Sequence, residues 1–132
     1  MITHLLDTSA WLIHLLQEPE SETVTELLLN PEHRVGVSVL SLVEVQGRMR
    51  QMGIGERFVE IVEEYRNVFA ELIVVDESIA LQATELRESA SSRVPTVDIL
   101  IAATAAYHNA TLVHRDPHFA GLPENQPRQL TL

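Results

Sequence analysis

Short aliphatic runs alternate with helical periodicities along the whole chain, and that alternation restricts the possible folds more than any other feature. Residues 2–6 form an apolar run that reads as a buried strand ending at Asp7. Thr8 and Ser9 follow, and Ala10-Trp11-Leu12-Ile13 then reads as helix, broken by Pro19. Ser21 is placed to cap a second helix with Val24, Leu27 and Leu28 on one face, stopped at Asn30-Pro31. Residues 34–37 suit a second strand. Ser38 opens a helix that reaches about Met52 and ends at Gly53. Residues 54–69 read as a further helix, with Phe58, Ile61, Val62, Tyr65 and Phe69 at spacings of three and four. Residues 72–75 are strand-like, mostly β-branched, and Asp76 caps a helix over Glu77–Ser89. A polar connector at 90–93 leads through Pro95-Thr96 to a helix over 97–108. Asn109-Ala110 closes that helix, Thr111–His114 is a fourth strand, and residues 128–132 suit an edge strand.

The alternation implies an α/β domain layered on a mainly parallel sheet. With 132 residues, no repeat and no linker-like stretch, a single domain over 1–132 is expected. The chain has no cysteine, which excludes a disulfide framework, a thiolate zinc site and a cysteine nucleophile, and suits a reducing cytoplasm. The N-terminal apolar run is short and lacks a basic segment, so a secretory signal is not expected. No stretch approaches the roughly 18 apolar residues that span a bilayer.

The placement of acids points to chemistry. The sequence has only four aspartates, and three of them, Asp7, Asp98 and Asp116, sit at strand–helix junctions. In an open parallel sheet, ligands bind at the carboxyl ends of strands. Asp7 ends the first strand, Asp116 follows the fourth by two residues, and Asp98 lies in the first turn of the helix leading to that strand. Each also has a local explanation: Asp7 as a helix cap, Asp98 as a first-turn acid favoured by the helix dipole, Asp116 as a turn residue before Pro117. Asp76 reads as a plain cap. Glu44 is less ordinary, because it stands amid apolar neighbours in Val39-Leu40-Ser41-Leu42-Val43-Glu44-Val45. It must pair, with Arg48 one turn on as the local candidate, or line a polar cleft. Carboxylates that converge on one cleft repel one another or bind a cation, and an all-oxygen set favours Mg²⁺ or Mn²⁺. The chemistry such a set suits is phosphodiester hydrolysis by a water that the cation activates.

The formal charge is −10, and every basic residue is arginine. At long range this body repels polyanions and attracts a basic partner. A carboxylate cluster holding a divalent ion is locally less negative, so a nucleic-acid substrate is not excluded. A neutralising protein partner is expected to present Arg or Lys to the acidic cleft.

Four segments together resemble a known family. Leu5-Leu6-Asp7-Thr8-Ser9-Ala10-Trp11 is similar to the opening motif of PIN-domain nucleases, and Ser38-Val39-Leu40-Ser41-Leu42-Val43-Glu44-Val45 to their second. Asp98-Ile99-Leu100-Ile101-Ala102-Ala103-Thr104-Ala105 resembles the third, and Thr111-Leu112-Val113-His114-Arg115-Asp116-Pro117-His118-Phe119 the fourth. The length resembles that of the VapC-type toxins. The resemblance implies a three-layer α/β/α sandwich and a Mg²⁺- or Mn²⁺-dependent endoribonuclease. By position, Asp7, Glu44, Asp98 and Asp116 are its acidic metal-site residues, with Thr8 or Ser9 orienting Asp7 or a water by hydrogen bonding. It also implies a homodimer silenced by a cognate antitoxin.

Two positions depart from the family pattern: His114 stands where Thr or Ser is common, and His118 where many relatives carry an acid. His114 has a packing role or holds a phosphate or water; Arg115 meets RNA phosphate or an internal carboxylate. A dehalogenase-type phosphatase would need an acid where Ser9 stands. A zinc site on His114 and His118 is spoiled by Pro117 between them. The non-enzymatic alternative is an inactive PIN-like module that binds a partner protein.

Overall fold

The computed structural model describes residues 1–132. Five strands form one sheet in the order β3-β2-β1-β4-β5, with every neighbouring pair parallel. They are β1 (His4–Leu6), β2 (Val35–Ser38), β3 (Glu71–Ile73), β4 (Thr111–His114) and β5 (Gln129–Thr131). The helices are α1 (Thr8–Leu15), α2 (Ser21–Leu29), α3 (Val39–Gln51), α4 (Phe58–Arg66), α5 (Glu77–Ser89) and α6 (Thr96–Tyr107). This is a three-layer α/β/α sandwich, as the strand–helix alternation requires.

Side chains along each strand point alternately to the two faces. Leu5 and Leu112 enter a core shared with α5 and α6, in which Ile79, Ile99, Ile101 and Phe119 are buried. Leu6, Val35, Val37 and Val113 enter the opposite core, under α1 to α4. There Trp11 lies edge-on to Tyr65 and Phe69, with ring centroids 5.4 and 5.2 Å away. Strands buried on both faces must be apolar throughout, which is why they read as continuous runs rather than as alternating patterns.

Several local expectations shift. Ser21 does not cap α2: it is the first helical residue, Glu20 holds the cap position, and no side chain satisfies it. Helix α1 stops at Leu15, before Pro19, because Gln17 turns left-handed with φ 56°. The continuous helix expected over 54–69 is a 3₁₀ turn at Gly55–Arg57 followed by α4, and Phe69 lies beyond its end. The apolar spacing still holds because Ile61, Val62, Tyr65 and Phe69 are all buried. The third strand is Glu71–Ile73, leaving Val74 exposed. Asp76 caps α5 through Oδ1, which accepts from the Ile79 N–H at 3.0 Å. No helix is long and apolar enough to cross a membrane.

Candidate metal centre

The strand order reverses direction between β1 and β4: the chain runs outward from β1 through β2 to β3, and returns to the other side of β1 with β4. The crevice at the carboxyl ends of two such strands is where open α/β sheets bind ligands. Asp7 stands there directly after β1, its N–H donating to Val113 O at 3.0 Å. Asp116 stands two residues after β4 and opens a 3₁₀ turn at Pro117–Gly121. Asp98 reaches in from the first turn of α6. Glu44 comes from α3, one turn on from the buried Ser41, at the edge of that helix's buried stripe.

Asp7 is buried and already occupied in part. Its Oδ1 accepts from the Ala10 N–H at 2.9 Å, capping α1, and from the Ser9 hydroxyl at 2.6 Å. The capping and site readings therefore coexist, since capping uses only one of the two carboxylate oxygens. Burial pushes the Asp7 carboxyl up to about 7, and the negative charges of Asp116 and Asp98 add to the effect, against the Ser9 and Ala10 hydrogen bonds. Asp98 is also raised, first by burial and then by Asp116 and Glu44, with His118 opposing. Asp98 is thus the acid that couples Asp7, Asp116 and Glu44 electrostatically, while the tight group of possible ligand atoms is Asp98, Asp116 and His118. A charge cluster of this kind is unfavourable alone and becomes favourable with a cation among its oxygens.

The neighbouring side chains have separate duties. Thr8 donates to Glu44 Oε1 and shares a 3.0 Å hydrogen bond with Ser41 Oγ, so it orients Glu44 and not Asp7. Glu44 makes no ion pair with Arg48. Ser9 donates to Asp7 and accepts the Arg115 N–H at 2.9 Å, tying the loop after β1 to the loop after β4. His114 is buried, its Nε2 donating to Gln129 Oε1 at 2.8 Å and its Nδ1 accepting the Asp116 N–H at 3.0 Å. Both ring nitrogens are thus committed, which leaves none for a phosphate, a water or a zinc ion. His114 packs on Phe119 and sets the backbone that carries Asp116. The Arg115 guanidinium turns to Glu20 at 2.6 Å and Glu18 at 3.1 Å, so it meets carboxylates of the α1–α2 connection.

One residue to which the sequence reading assigned no role joins the acids. His118 Nδ1 lies 3.1 Å from Asp98 Oδ2 and 3.0 Å from Asp116 Oδ1. The signal for it was its position two residues after Asp116 across Pro117, which forces a tight turn and folds the ring back.

Because Ser9 favours the ionised form of Asp7, its removal has a defined direction. Ser9→Ala is expected to raise the Asp7 carboxyl further. Mn²⁺ affinity should fall about tenfold at pH 6.5 and recover most of the loss at pH 8. Calorimetric titration at the two pH values checks this; an equal loss at both would assign Ser9 a purely structural part.

The model of the PIN domain matches residues 4–125, and the chain belongs to that family. No curated protein matches the sequence. Among solved structures, it is similar to VapBC2 from Rickettsia felis bound to a promoter DNA fragment, with TM-score 0.80 and 22% identity over 100% of this chain and 99% of that one. It is similar to DNA-bound VapBC from Salmonella typhimurium, with TM-score 0.81 and 21% identity over 99% and 98% of the two chains. VapBC-5 from Mycobacterium tuberculosis, a member of the VapBC family of toxin–antitoxin systems, matches with TM-score 0.70 and 25% identity over all of both chains.

Proposed function

We propose that this chain, as a single domain over 1–132, is a divalent-metal-dependent endoribonuclease and the toxin of a VapC-type toxin–antitoxin pair. The observation that carries the reading is the convergence of Asp7, Glu44, Asp98 and Asp116 at the carboxyl ends of β1 and β4, where burial holds Asp7 up to about 7. The donors fit Mg²⁺ or Mn²⁺: they are mainly hard oxygens, and no thiolate is present in the chain. Asp7, Asp98, Asp116 and Glu44 would hold the ion. When bound, the cation supplies charge neutralisation at the phosphoryl group and activation of the attacking water.

The chain's own residues do the rest. Thr8 fixes the Glu44 carboxylate, Ser9 fixes Asp7, and His114 holds the backbone that presents Asp116. Asp7, desolvated in the crevice, holds a proton up to about pH 7, and a bound cation would favour its ionised form. A cytoplasmic enzyme, a homodimer, and an antitoxin bringing a basic segment to the acidic cleft complete the proposal. They are supported by the family, by the net charge of −10 and by similarity to VapBC assemblies.

Incubation of purified protein with RNA in Mg²⁺, Mn²⁺ or chelator tests the reading. Internal cleavage with either ion and none in chelator is expected. Cleavage that persists in chelator would overturn metal dependence. A folded protein that binds neither ion would be the inactive partner-binding module instead.

A further inference from the structure

We propose that His118 is a direct nitrogen ligand of the cation, and that it biases this site toward Mn²⁺ and similar transition ions over Mg²⁺. The inference rests on the metal-dependent reading above. Its basis is the place of the ring: one ligand atom each from Asp98, Asp116 and His118 lie within 4.8 Å of one another. In an octahedral site with bonds of about 2.1 Å, adjacent ligands stand roughly 3.0 Å apart. His118 Nδ1 stands 3.1 Å from Asp98 Oδ2 and 3.0 Å from Asp116 Oδ1. Nδ1 hydrogen-bonds Asp98 Oδ2 and lies beside Asp116 Oδ1, so the ring nitrogen and the two carboxylate oxygens already keep the spacing of adjacent cation ligands. To ligate a cation through Nδ1, the neutral ring would carry its proton on Nε2.

The ring's position comes from backbone. The His118 N–H donates to Asp116 Oδ1 at 2.9 Å, and the next residue, Phe119, is fully buried beside His114. The turn thus carries His118 and Asp116 as one unit. An imidazole nitrogen is a softer donor than carboxylate; it suits first-row transition ions and is poorly matched to Mg²⁺. Among the histidines, His114 has both nitrogens engaged and His14 is bonded to Tyr65. His4 and His33 lie against each other with tilted rings, centroids 4.5 Å apart, and His108 lies at the far end of α6. Nitrogen seen on a bound ion would therefore be that of His118.

Pulsed electron paramagnetic resonance of the Mn²⁺-loaded protein reads this directly through ¹⁴N modulation. Modulation is expected in the wild type and absent in His118→Ala and His118→Asp. Calorimetry should show that His118→Asp, which restores a carboxylate, lowers the Mn²⁺-over-Mg²⁺ affinity ratio about tenfold. Mn²⁺ bound to the wild type without nitrogen modulation, or modulation that survives in His118→Ala, would overturn the assignment while leaving the metal site standing. Failure of Mn²⁺ to bind the wild type at all would remove both.

Discussion

Asp98→Asn is expected to abolish divalent-ion binding and to lower RNA cleavage by roughly 10²–10³-fold or more, with the fold intact. The size of the effect follows from removing a fixed charge that acts where negative charge develops in the transition state. Asp98 is the acid that meets Asp116, Glu44 and His118 together, so its loss opens the centre of the cluster. The substitution keeps shape and leaves the α6 backbone untouched, since Ile99 N–H bonds to Pro95 O and not to the Asp98 side chain. Circular dichroism should be unchanged, and thermal stability in chelator should be equal or higher because one repelled charge is gone. A variant that retained a tenth or more of the wild-type rate with normal Mn²⁺ binding would remove Asp98 from the site.

The second large effect is on stability. A carboxyl raised to about 7 in the folded state binds a proton that the unfolded chain releases near the ordinary aspartate value of 3.8. The folded state therefore holds more protons in that interval, and stability falls as pH rises through it. The stabilisation is complete below the unfolded value and is lost by the time pH passes about 7. Asp98 pushes in the same direction. In chelator, wild type should lose about 2 kcal/mol more than Asp7→Asn between pH 5.5 and 8, or about 6–10 °C in Tm. Asparagine is chosen because its side-chain oxygen can still cap α1 at the Ala10 N–H. Saturating Mn²⁺ should reverse the order and make wild type the more stable protein at pH 8. If Asp7→Asn is the less stable protein in chelator at pH 8, the buried charge of Asp7 does not destabilise the metal-free fold and the repulsion argument fails.

Both predictions start from residues that were visible in the linear chain. Asp7 and Asp116 follow strand runs, and a parallel sheet sends the ends of its strands to one edge. Three locally unremarkable acids are thereby grouped by the strand pattern alone. Glu44 stood out because a carboxylate amid apolar residues on a helix needs a partner. Asp76 shows the limit of such pattern reading. It has the same strand-before, helix-after setting as Asp7, and it is only the cap of α5, because β3 is the edge strand, two places from β1.

The order of strands and helices, the burial of both sheet faces and the cap positions of Asp7, Ser38 and Asp76 were set by the sequence alone, because periodicity and capping act over a few neighbouring residues. The break between Gly55–Arg57 and α4, the turn of Arg115 toward Glu18 and Glu20, the binding of Thr8 to Glu44, and the arrival of His118 between Asp98 and Asp116 were decided only in the tertiary structure. The physical reason is distance along the chain. A side chain with several acceptors of equal chemistry takes the one that packing brings within about 3 Å, and local sequence carries no record of that choice.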